Sequence, residues 1–270
     1  MAIFYLSIWQ LFFIEKCIYN YGWLFFYSIA SKNFFGTSKF VVFILILCMQ
    51  KYAVIVAGGN GLRMGAFIPK QFLMLKGKPV LWYTINTFLQ SYSDMQIILV
   101  LPEEHIERGE EIVAMFDQQN RVAIIKGGCS RFHSVQNGLK MVSTNSIVFV
   151  HDGVRCLVSA NLIKRCYEQA LAKGSAIPAI AATDSIRIVE GDNNFVADRA
   201  NVRMIQTPQT FSSDIILPAF AQVYNDAFTD EATVVEAAGT DIFLCEGEYS
   251  NIKITMPVDL LMAEKFLEEL

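Results

Sequence analysis

The chain has 270 residues and a formal net charge of −4 at pH 7, a length that suits one large domain or two small ones. The acidic balance argues against a surface that coats nucleic acid, because such surfaces are normally basic, so any anion-binding site must be local. The six cysteines include no Cys-x-x-Cys pair, and only three histidines are present. This usage predicts reduced cytoplasmic thiols without structural zinc.

Residues 1–48 differ from the rest of the chain, because they are crowded with aromatic residues and isoleucine and carry only four charges. The longest clean apolar run, residues 40–49, is about half of a membrane-spanning helix. A signal peptide would need a basic start and a small-residue cleavage site, which this leader lacks. We interpret the leader as a start site assigned too early or as a disordered segment, and we expect one folded domain over residues 49–270 and no membrane association.

A glycine-rich loop follows the first apolar run of that domain. Residues 52–57 are rich in β-branched side chains and predict a buried strand that ends at Gly58 and Gly59. Arg63 and Lys70 follow in the loop, and glycine amides beside two cations suit a phosphate. The loop matches neither the Walker pattern nor the dinucleotide fingerprint. It therefore predicts a phosphate site of a third kind, and a glycine turn with two solvated cations is the alternative.

Helical and strand patterns then alternate along the chain. This order predicts an α/β fold of Rossmann-like type, with a mostly parallel sheet and helices on both faces. Strands are predicted at residues 96–102, 122–128, 146–153 and 175–180, and helices near residues 81–89, 103–116, 131–142 and 160–172.

Residues 184–199 break this order with two short alternating strands around a Glu-Gly-Asp-Asn-Asn turn. We predict a protruding β-hairpin arm over about residues 183–204. A second subunit commonly covers the exposed edges of such an arm, so the pattern predicts a homodimer. A hairpin folded back on its own domain is the alternative.

Three loops are expected to meet at one edge of the sheet if strands end near residues 57, 126 and 150. They would bring together the two loop cations, the glycines and hydroxyls of residues 127–134, and the carboxylate of Asp152, which could hold Mg²⁺. Such a set suits a nucleoside triphosphate, because nucleotidyl transfer needs mainly positioning and charge neutralisation. Taken singly, Asp152 could instead cap a turn, Lys253 could be the solvent-facing residue of a strand, and Thr229 could cap a helix.

Seven motifs occur in order between residues 50 and 270: "AGGNGLRMG", "PKQF", "GGCSRFHSVQNGL", "VHDGVR", "TPQTF", "TDEA" and "NIKIT". In this combination the chain resembles the 2-C-methyl-D-erythritol 4-phosphate cytidylyltransferase family of the non-mevalonate isoprenoid pathway. The resemblance implies a nucleotidyltransferase fold and an enzyme that joins CTP to methylerythritol phosphate and releases pyrophosphate, with Mg²⁺ neutralising charge. Two features depart from the family pattern: Cys156 stands where proline is usual, and the leader has no counterpart.

The resemblance also assigns site residues. It implies catalytic roles for Arg63, Lys70, Arg199 and Lys253, with Arg199 acting across the dimer. Nucleotide binding is implied for Ala57, Gly58, Gly59, Gly61, Gly127, Gly128, Ser134 and Asp152. Contacts to the second substrate are implied for Asp152, Ser185, Arg199, Thr207, Thr229 and Lys253, and Asp152 is the implied metal ligand.

Three rival functions remain at this point. A cytidylyltransferase acting on ribitol 5-phosphate or another polyol phosphate would share the fold, the loop and the chemistry. A sugar-1-phosphate nucleotidyltransferase would use another base. A non-catalytic nucleotide-binding domain attached to a membrane is suggested only by the aromatic leader.

Overall fold

A mostly parallel β-sheet is the centre of the part of the chain that the structure describes, residues 49–59 and 68–269 of a computed structural model. The predicted leader and the loop residues Gly61 and Arg63 lie outside the described residues. The described strands are β1 (Gln50–Val56), β2 (Met74–Leu75), β3 (Lys78–Pro79), β4 (Met95–Leu101), β5 (Val122–Lys126), β6 (Ser146–Asp152), β7 (Ser175–Ala181), β8 (Ile186–Glu190), β9 (Asn193–Ala197), β10 (Arg203–Ile205), β11 (Gln209–Ser212) and β12 (Leu244–Glu246).

The main sheet has the order β7–β11–β6–β1–β4–β5, with β10 and β12 also paired to β7. Strands β6, β1, β4 and β5 are parallel, whereas β11 runs antiparallel to both of its neighbours. All seven residues of β6 are buried, as expected for a central strand with both faces covered. The carboxyl ends of β1, β4, β5 and β6 therefore lie at one edge of the sheet.

Helices cover both faces of the sheet. They are α1 (Val80–Ser91), α2 (Ile106–Val113), α3 (Arg131–Leu139), α4 (Ala160–Lys173), α5 (Ser213–Ala219), α6 (Glu231–Ala237) and α7 (Pro257–Glu269). Val54 and Val148 point to one face and pack with side chains of α3, α5 and α6. Phe149 points to the other face, where its ring centroid lies 5.9 Å from that of Phe88 on α1. The predicted fold class is therefore confirmed.

A second, smaller core lies beneath the carboxyl-terminal helix α7. Its buried members include Leu75, Ile254 and Ala263. Cys156, which replaces the proline expected at its position, also belongs to this core and is 3% exposed. The small apolar thiol is thus accommodated by packing.

Strands β8 and β9 form the predicted hairpin, paired from Ile186 opposite Ala197 to Glu190 opposite Asn193. The hairpin is shorter than the predicted 183–204, because residues 203–205 pair with β7 in the main sheet as β10. Its side chains are largely exposed, and Val189 and Val196 are each 69% exposed.

Two other details differ from the sequence patterns. Residues 251–255 alternate like a strand but form none, because the Ile254 amide bonds to the Val154 carbonyl in the loop after β6 at 3.0 Å and not to a neighbouring strand. Asp230, and not Thr229, caps helix α6, and its carboxylate accepts a hydrogen bond from the Thr233 amide. No helix in the described part of the chain is long and apolar enough to cross a membrane.

Candidate active site

A cavity of about 890 Å³ opens at the carboxyl ends of β1, β4, β5 and β6. Loops after parallel strands converge at this edge, which is where open α/β sheets bind ligands. The cavity is lined by Val56, Ala57, Gly58, Gly59, Lys70, Gln71, Val100, Leu101, Pro102, Glu103, Glu104, Lys126, Gly127, Gly128, Cys129, Ser130, Arg131, Ser134, Asp152, Val154, Lys253 and Thr255. Nine of the predicted site residues are among them: Ala57, Gly58, Gly59, Lys70, Gly127, Gly128, Ser134, Asp152 and Lys253.

The first wall of the cavity is the end of β1. The Ala57 amide donates to the Val100 carbonyl at 3.0 Å, which extends the β1–β4 ladder by one residue. Gly58 and Gly59 then leave the sheet and are exposed. Lys70 returns to the same wall, since its Cε would lie 3.7 Å from a Cβ built on Gly59. Glycine amides and a lysine thus share one wall.

The second wall is the loop from Gly127 to Ser134. The Ser134 hydroxyl accepts from the Gly128 amide at 3.1 Å and donates to the Ser130 carbonyl at 2.9 Å. A Cβ on Gly128 would lie only 2.4 Å from the Cβ of His133, so the loop requires glycine there. The loop is therefore held rigidly against α3, with the hydroxyl hydrogen of Ser134 already engaged.

Asp152, at the end of β6, is the electrostatic centre of the site. Its Oδ2 accepts from Lys253 Nζ at 2.8 Å and lies 3.7 Å from Arg155 Nε, while Oδ1 accepts from Arg131 Nη2 at 3.3 Å. The residue is 8% exposed. Burial alone would raise its pKa, but Arg131, Lys253 and Arg155 outweigh burial and hold the pKa well below its usual range. Asp152 is therefore ionised at neutral pH.

Sequence reasoning missed a buried ion pair between Arg131 and Glu231. The guanidinium donates to both carboxylate oxygens of Glu231, through Nη1 to Oε1 and through Nη2 to Oε2 at 3.0 Å. Glu231 is 1% exposed. Burial raises its pKa, and the attraction of Arg131 opposes that shift. Both residues lie within motifs noted above, but they are 100 positions apart, so only the fold reveals the pair.

The charges of this cluster do not balance. Two carboxylates, Asp152 and Glu231, face three cations, Arg131, Arg155 and Lys253, which leaves one positive charge in excess. The side chains of Arg155 and Arg131 are 12% and 31% exposed, whereas that of Lys253 is 42% exposed. Lys253 and Arg131 both line the cavity, so the excess positive charge faces the cavity, an arrangement that attracts an anion.

A chain of hydrogen bonds supports Asp152 from behind. The Asp152 amide donates to the Thr207 hydroxyl at 3.1 Å, and this hydroxyl lies 3.0 Å from His151 Nδ1. His151 Nε2 donates to the Arg155 carbonyl at 3.1 Å, so a neutral imidazole accepts at Nδ1 from the hydroxyl. Burial lowers the pKa of His151 to about 4, which agrees with a neutral ring. The Thr207 hydroxyl is thus engaged within the protein, and its predicted contact to substrate stays a prediction.

Four predicted site residues do not line the cavity of a single chain: Thr207, described above, and Arg199, Ser185 and Thr229. Arg199 lies beyond the hairpin and donates to the Thr183 carbonyl at 2.8 Å. Ser185 and Thr229 are exposed. Their predicted contacts to substrate stay predictions, and for Arg199 the predicted contact crosses to a second subunit.

Glycine amides, two lysines and an ionised carboxylate around one cavity, at the carboxyl edge of a parallel sheet, define a nucleotide-binding α/β protein. The profile of the IspD family, described as 2-C-methyl-D-erythritol 4-phosphate cytidylyltransferase, matches residues 51–269. The chain belongs to this family. The predicted resemblance is confirmed, and the family is one of nucleotidyltransferase enzymes.

Individual relatives agree with this assignment. A protein of Azobacteroides pseudotrichonymphae named 2-C-methyl-D-erythritol 4-phosphate cytidylyltransferase is 44% identical over 220 residues, covering 81% of this chain and 99% of the relative. A Bacteroides fragilis protein of the same name is 42% identical over 219 residues, covering 81% of this chain and all of the relative. The crystal structure of 4-diphosphocytidyl-2C-methyl-D-erythritol synthase from Anaerococcus prevotii has a TM-score of 0.71 at 29% identity, covering 83% of this chain and 98% of that one.

Proposed function

We propose that the chain transfers CMP from CTP to 2-C-methyl-D-erythritol 4-phosphate, giving 4-diphosphocytidyl-2-C-methyl-D-erythritol and pyrophosphate. The observation that carries the proposal is the cavity where Lys70 and Lys253 face glycine amides beside the ionised Asp152. The names of the relatives favour this substrate over ribitol 5-phosphate or another polyol phosphate.

The transfer needs no protein nucleophile. A phosphate oxygen of the second substrate forms a bond to the α-phosphorus of CTP, and the bond from that phosphorus to the leaving pyrophosphate breaks. Arg63 and Lys70 would stabilise the charge that builds on the pyrophosphate. Lys253 would release Asp152 and hold the attacking phosphate, since Arg131 and Arg155 remain beside that carboxylate to balance its charge.

Recognition of the nucleoside would come from main-chain groups of the two walls. Gly58, Gly59 and Gly61 would bind through their amides from the first wall, and Ala57 through the second lone pair of its carbonyl, since its amide is bonded to Val100 and its carbonyl already accepts from Gln71. Gly127 and Gly128 would bind through their carbonyls from the second wall, because their amides are bonded to the Leu101 carbonyl and the Ser134 hydroxyl. Main-chain groups suit this task because their positions are set by the sheet and by the tight contact between Gly128 and His133. The Ser134 hydroxyl has one lone pair left for a further donor, because its hydrogen is donated to the Ser130 carbonyl and its other lone pair accepts from the Gly128 amide.

The donor set fits Mg²⁺ only together with phosphate oxygens. Within residues 49–59 and 68–269, no three His, Cys, Asp or Glu side chains come together as a metal site. Mg²⁺ commonly binds through one or two carboxylates plus substrate phosphates, and Asp152 would be the protein ligand here. When bound, the metal would neutralise charge on the triphosphate.

The second substrate would be gripped in a homodimer joined through the hairpin arm. The exposed apolar side chains of β8 and β9 support this, because an uncovered two-stranded hairpin exposes its edges. Arg199 and Ser185 would reach the partner's cavity. At a methylerythritol phosphate concentration near the wild-type KM, where Lys70→Ala and Arg199→Ala proteins should each be nearly inactive, mixing the two should then restore partial activity. No recovery after proven subunit exchange would contradict action across the dimer.

A direct assay tests the activity. The full chain with CTP, methylerythritol phosphate and Mg²⁺ should release pyrophosphate. We expect the enzyme to act in the cytoplasm. UTP in place of CTP, and ribitol 5-phosphate in place of methylerythritol phosphate, should give much slower release. Faster turnover with ribitol 5-phosphate would favour the rival substrate, and no pyrophosphate with any pair would refute the proposal.

A further inference from the structure

Gln71 lies in the wall of the cavity beside Lys70, and its side chain is 0% exposed. Its amide nitrogen, Nε2, donates to the Ala57 carbonyl at 2.8 Å. A carbonyl oxygen can only accept, so the atom at this distance must be the nitrogen of the side-chain amide. Ala57 and Gln71 are 14 positions apart in the chain. Their hydrogen bond therefore joins the two ends of the glycine-rich segment.

The bond also sets the direction of one peptide group. The Ala57 carbonyl and the Gly58 amide belong to the same planar trans peptide, so they point in opposite directions. A fixed carbonyl therefore fixes the direction of the first glycine amide of the loop. The Ala57 amide is itself held by the Val100 carbonyl at 3.0 Å, so the strand end is anchored from both sides.

Gln71 has a feature that packing alone does not explain. Its other amide atom, Oε1, is buried and has no hydrogen-bond partner in the described part of the chain. An unsatisfied buried acceptor lowers stability, and an apolar side chain of similar volume would avoid that loss. Methionine would remove this unpaired acceptor but would leave the Ala57 carbonyl unpaired, so the two effects on stability nearly offset each other and stability gives glutamine no net advantage here.

We infer that Gln71 is a positioning residue for nucleotide binding, which aligns the Gly58 amide with the polyphosphate of CTP through the Ala57 carbonyl. The inference rests on the proposed function. It makes Gln71 act through the peptide that it holds, while Lys70, its neighbour in the chain, supplies charge in the same wall. The anion is the recognised group, because an amide N–H donates to phosphate oxygens.

The variant Gln71→Met separates this role from a structural one. It removes both the donated bond and the unpaired acceptor. We expect the dissociation constants of CTP and of inorganic tripolyphosphate to rise together by about tenfold, the cost of one misaligned hydrogen bond to a charged group. The dissociation constant of cytidine, the KM for methylerythritol phosphate and the unfolding free energy in urea should stay near their wild-type values.

Gln136→Met is the matched control. Gln136 Nε2 donates to the Phe220 carbonyl at 2.8 Å, a bond of the same kind and length, and Gln136 does not line the cavity. This variant should bind CTP and tripolyphosphate like the wild type. Binding is measured by calorimetry without the second substrate, so no turnover is needed.

Gln71→Glu provides a second, independent test. A carboxylate cannot donate to the Ala57 carbonyl, but a carboxylic acid can, so its CTP affinity relative to wild type should rise as pH is lowered. CTP affinity within twofold of wild type in Gln71→Met, or a loss of affinity accompanied by an equal loss of folding stability, would overturn the inference. So would a Gln71→Glu protein that matches wild type at every pH.

These outcomes separate the two proposals. If the wild type binds CTP but releases no pyrophosphate with methylerythritol phosphate, the proposed function fails while the alignment by Gln71 remains testable by binding. If the wild type turns over and Gln71→Met binds CTP equally well, only the inference about Gln71 fails.

Discussion

Lys253 and Arg131 contact the same carboxylate, but their removal should have opposite consequences. Lys253→Met removes the most exposed cation from Asp152, which keeps Arg131 and Arg155 as partners. A partly exposed ion pair of this kind contributes about 1 kcal/mol or less to stability. The fold should therefore survive. The rate should fall by about 10²-fold or more, because a single charged donor at developing charge is worth roughly 3 kcal/mol.

Arg131→Met should instead destabilise the fold. It leaves the Glu231 carboxylate, which is 1% exposed, without the guanidinium that contacts both of its oxygens. Removal of one partner from a buried ion pair costs about 3–5 kcal/mol. Protonation of Glu231 can relieve part of this cost, since burial already raises its pKa.

Urea unfolding measures the effect of each substitution on stability, and pyrophosphate release measures its effect on the rate, on the same proteins. Lys164→Met is the control, because Lys164 forms an exposed ion pair with Glu168 at 3.9 Å on α4, outside the cavity. It should change neither quantity. The charge count is wrong if Lys253→Met destabilises the protein as much as Arg131→Met does, or if it retains the wild-type rate.

Further predictions concern the remaining residues of the site. Lys70→Ala and Arg63→Ala should each lower the maximal rate by about 10²-fold or more without unfolding the protein, and a wild-type rate in either variant would contradict their assignment. Arg199→Ala should raise the KM for methylerythritol phosphate and leave CTP binding in calorimetry unchanged, so a large loss of CTP affinity would exclude this role. His151 is buried with its pKa lowered from 6.5 to about 4, so the unfolded chain binds its proton first as pH falls. The contribution of neutral His151 to the free energy of unfolding should be complete above about pH 6.5, and it should fall by about 3 kcal/mol on acidification towards pH 4. When urea unfolding is measured as a function of pH, the unfolding free energy of His151→Gln should lack this decrease between pH 6.5 and 4. A decrease as large as that of the wild type would refute the explanation.

The strands and their order along the chain were accessible from the sequence, because their signals are local. The run from Ile147 to Val150 is wholly apolar, and all seven residues of the strand that contains it, Ser146–Asp152, are buried. The glycines at 58, 59, 127 and 128 likewise mark loops at the strand ends. From these ends alone it followed that Lys70, Asp152 and the second glycine loop would meet, since carboxyl ends of parallel strands share one edge.

Other local patterns misled. The alternation at residues 251–255 predicts a strand, yet the segment has no partner strand and instead brings Lys253 to Asp152. The predicted arm extended to about residue 204, whereas residues 203–205 pair with β7 in the main sheet. Whether a segment pairs depends on which sheet edge the rest of the fold leaves unpaired beside it, and the sequence of that segment alone does not determine this.

The sequence by itself determined the fold class, the family motifs and the edge of the sheet where the ligand site lies. Only the tertiary structure decided that Arg131 pairs with Glu231, that the Thr207 hydroxyl supports Asp152 from behind, and that the Gln71 side chain holds the Ala57 carbonyl. Each of these contacts joins residues distant in the chain. Ion pairs and side-chain hydrogen bonds act over a few ångströms, so they exist only once the strand order has brought those segments together.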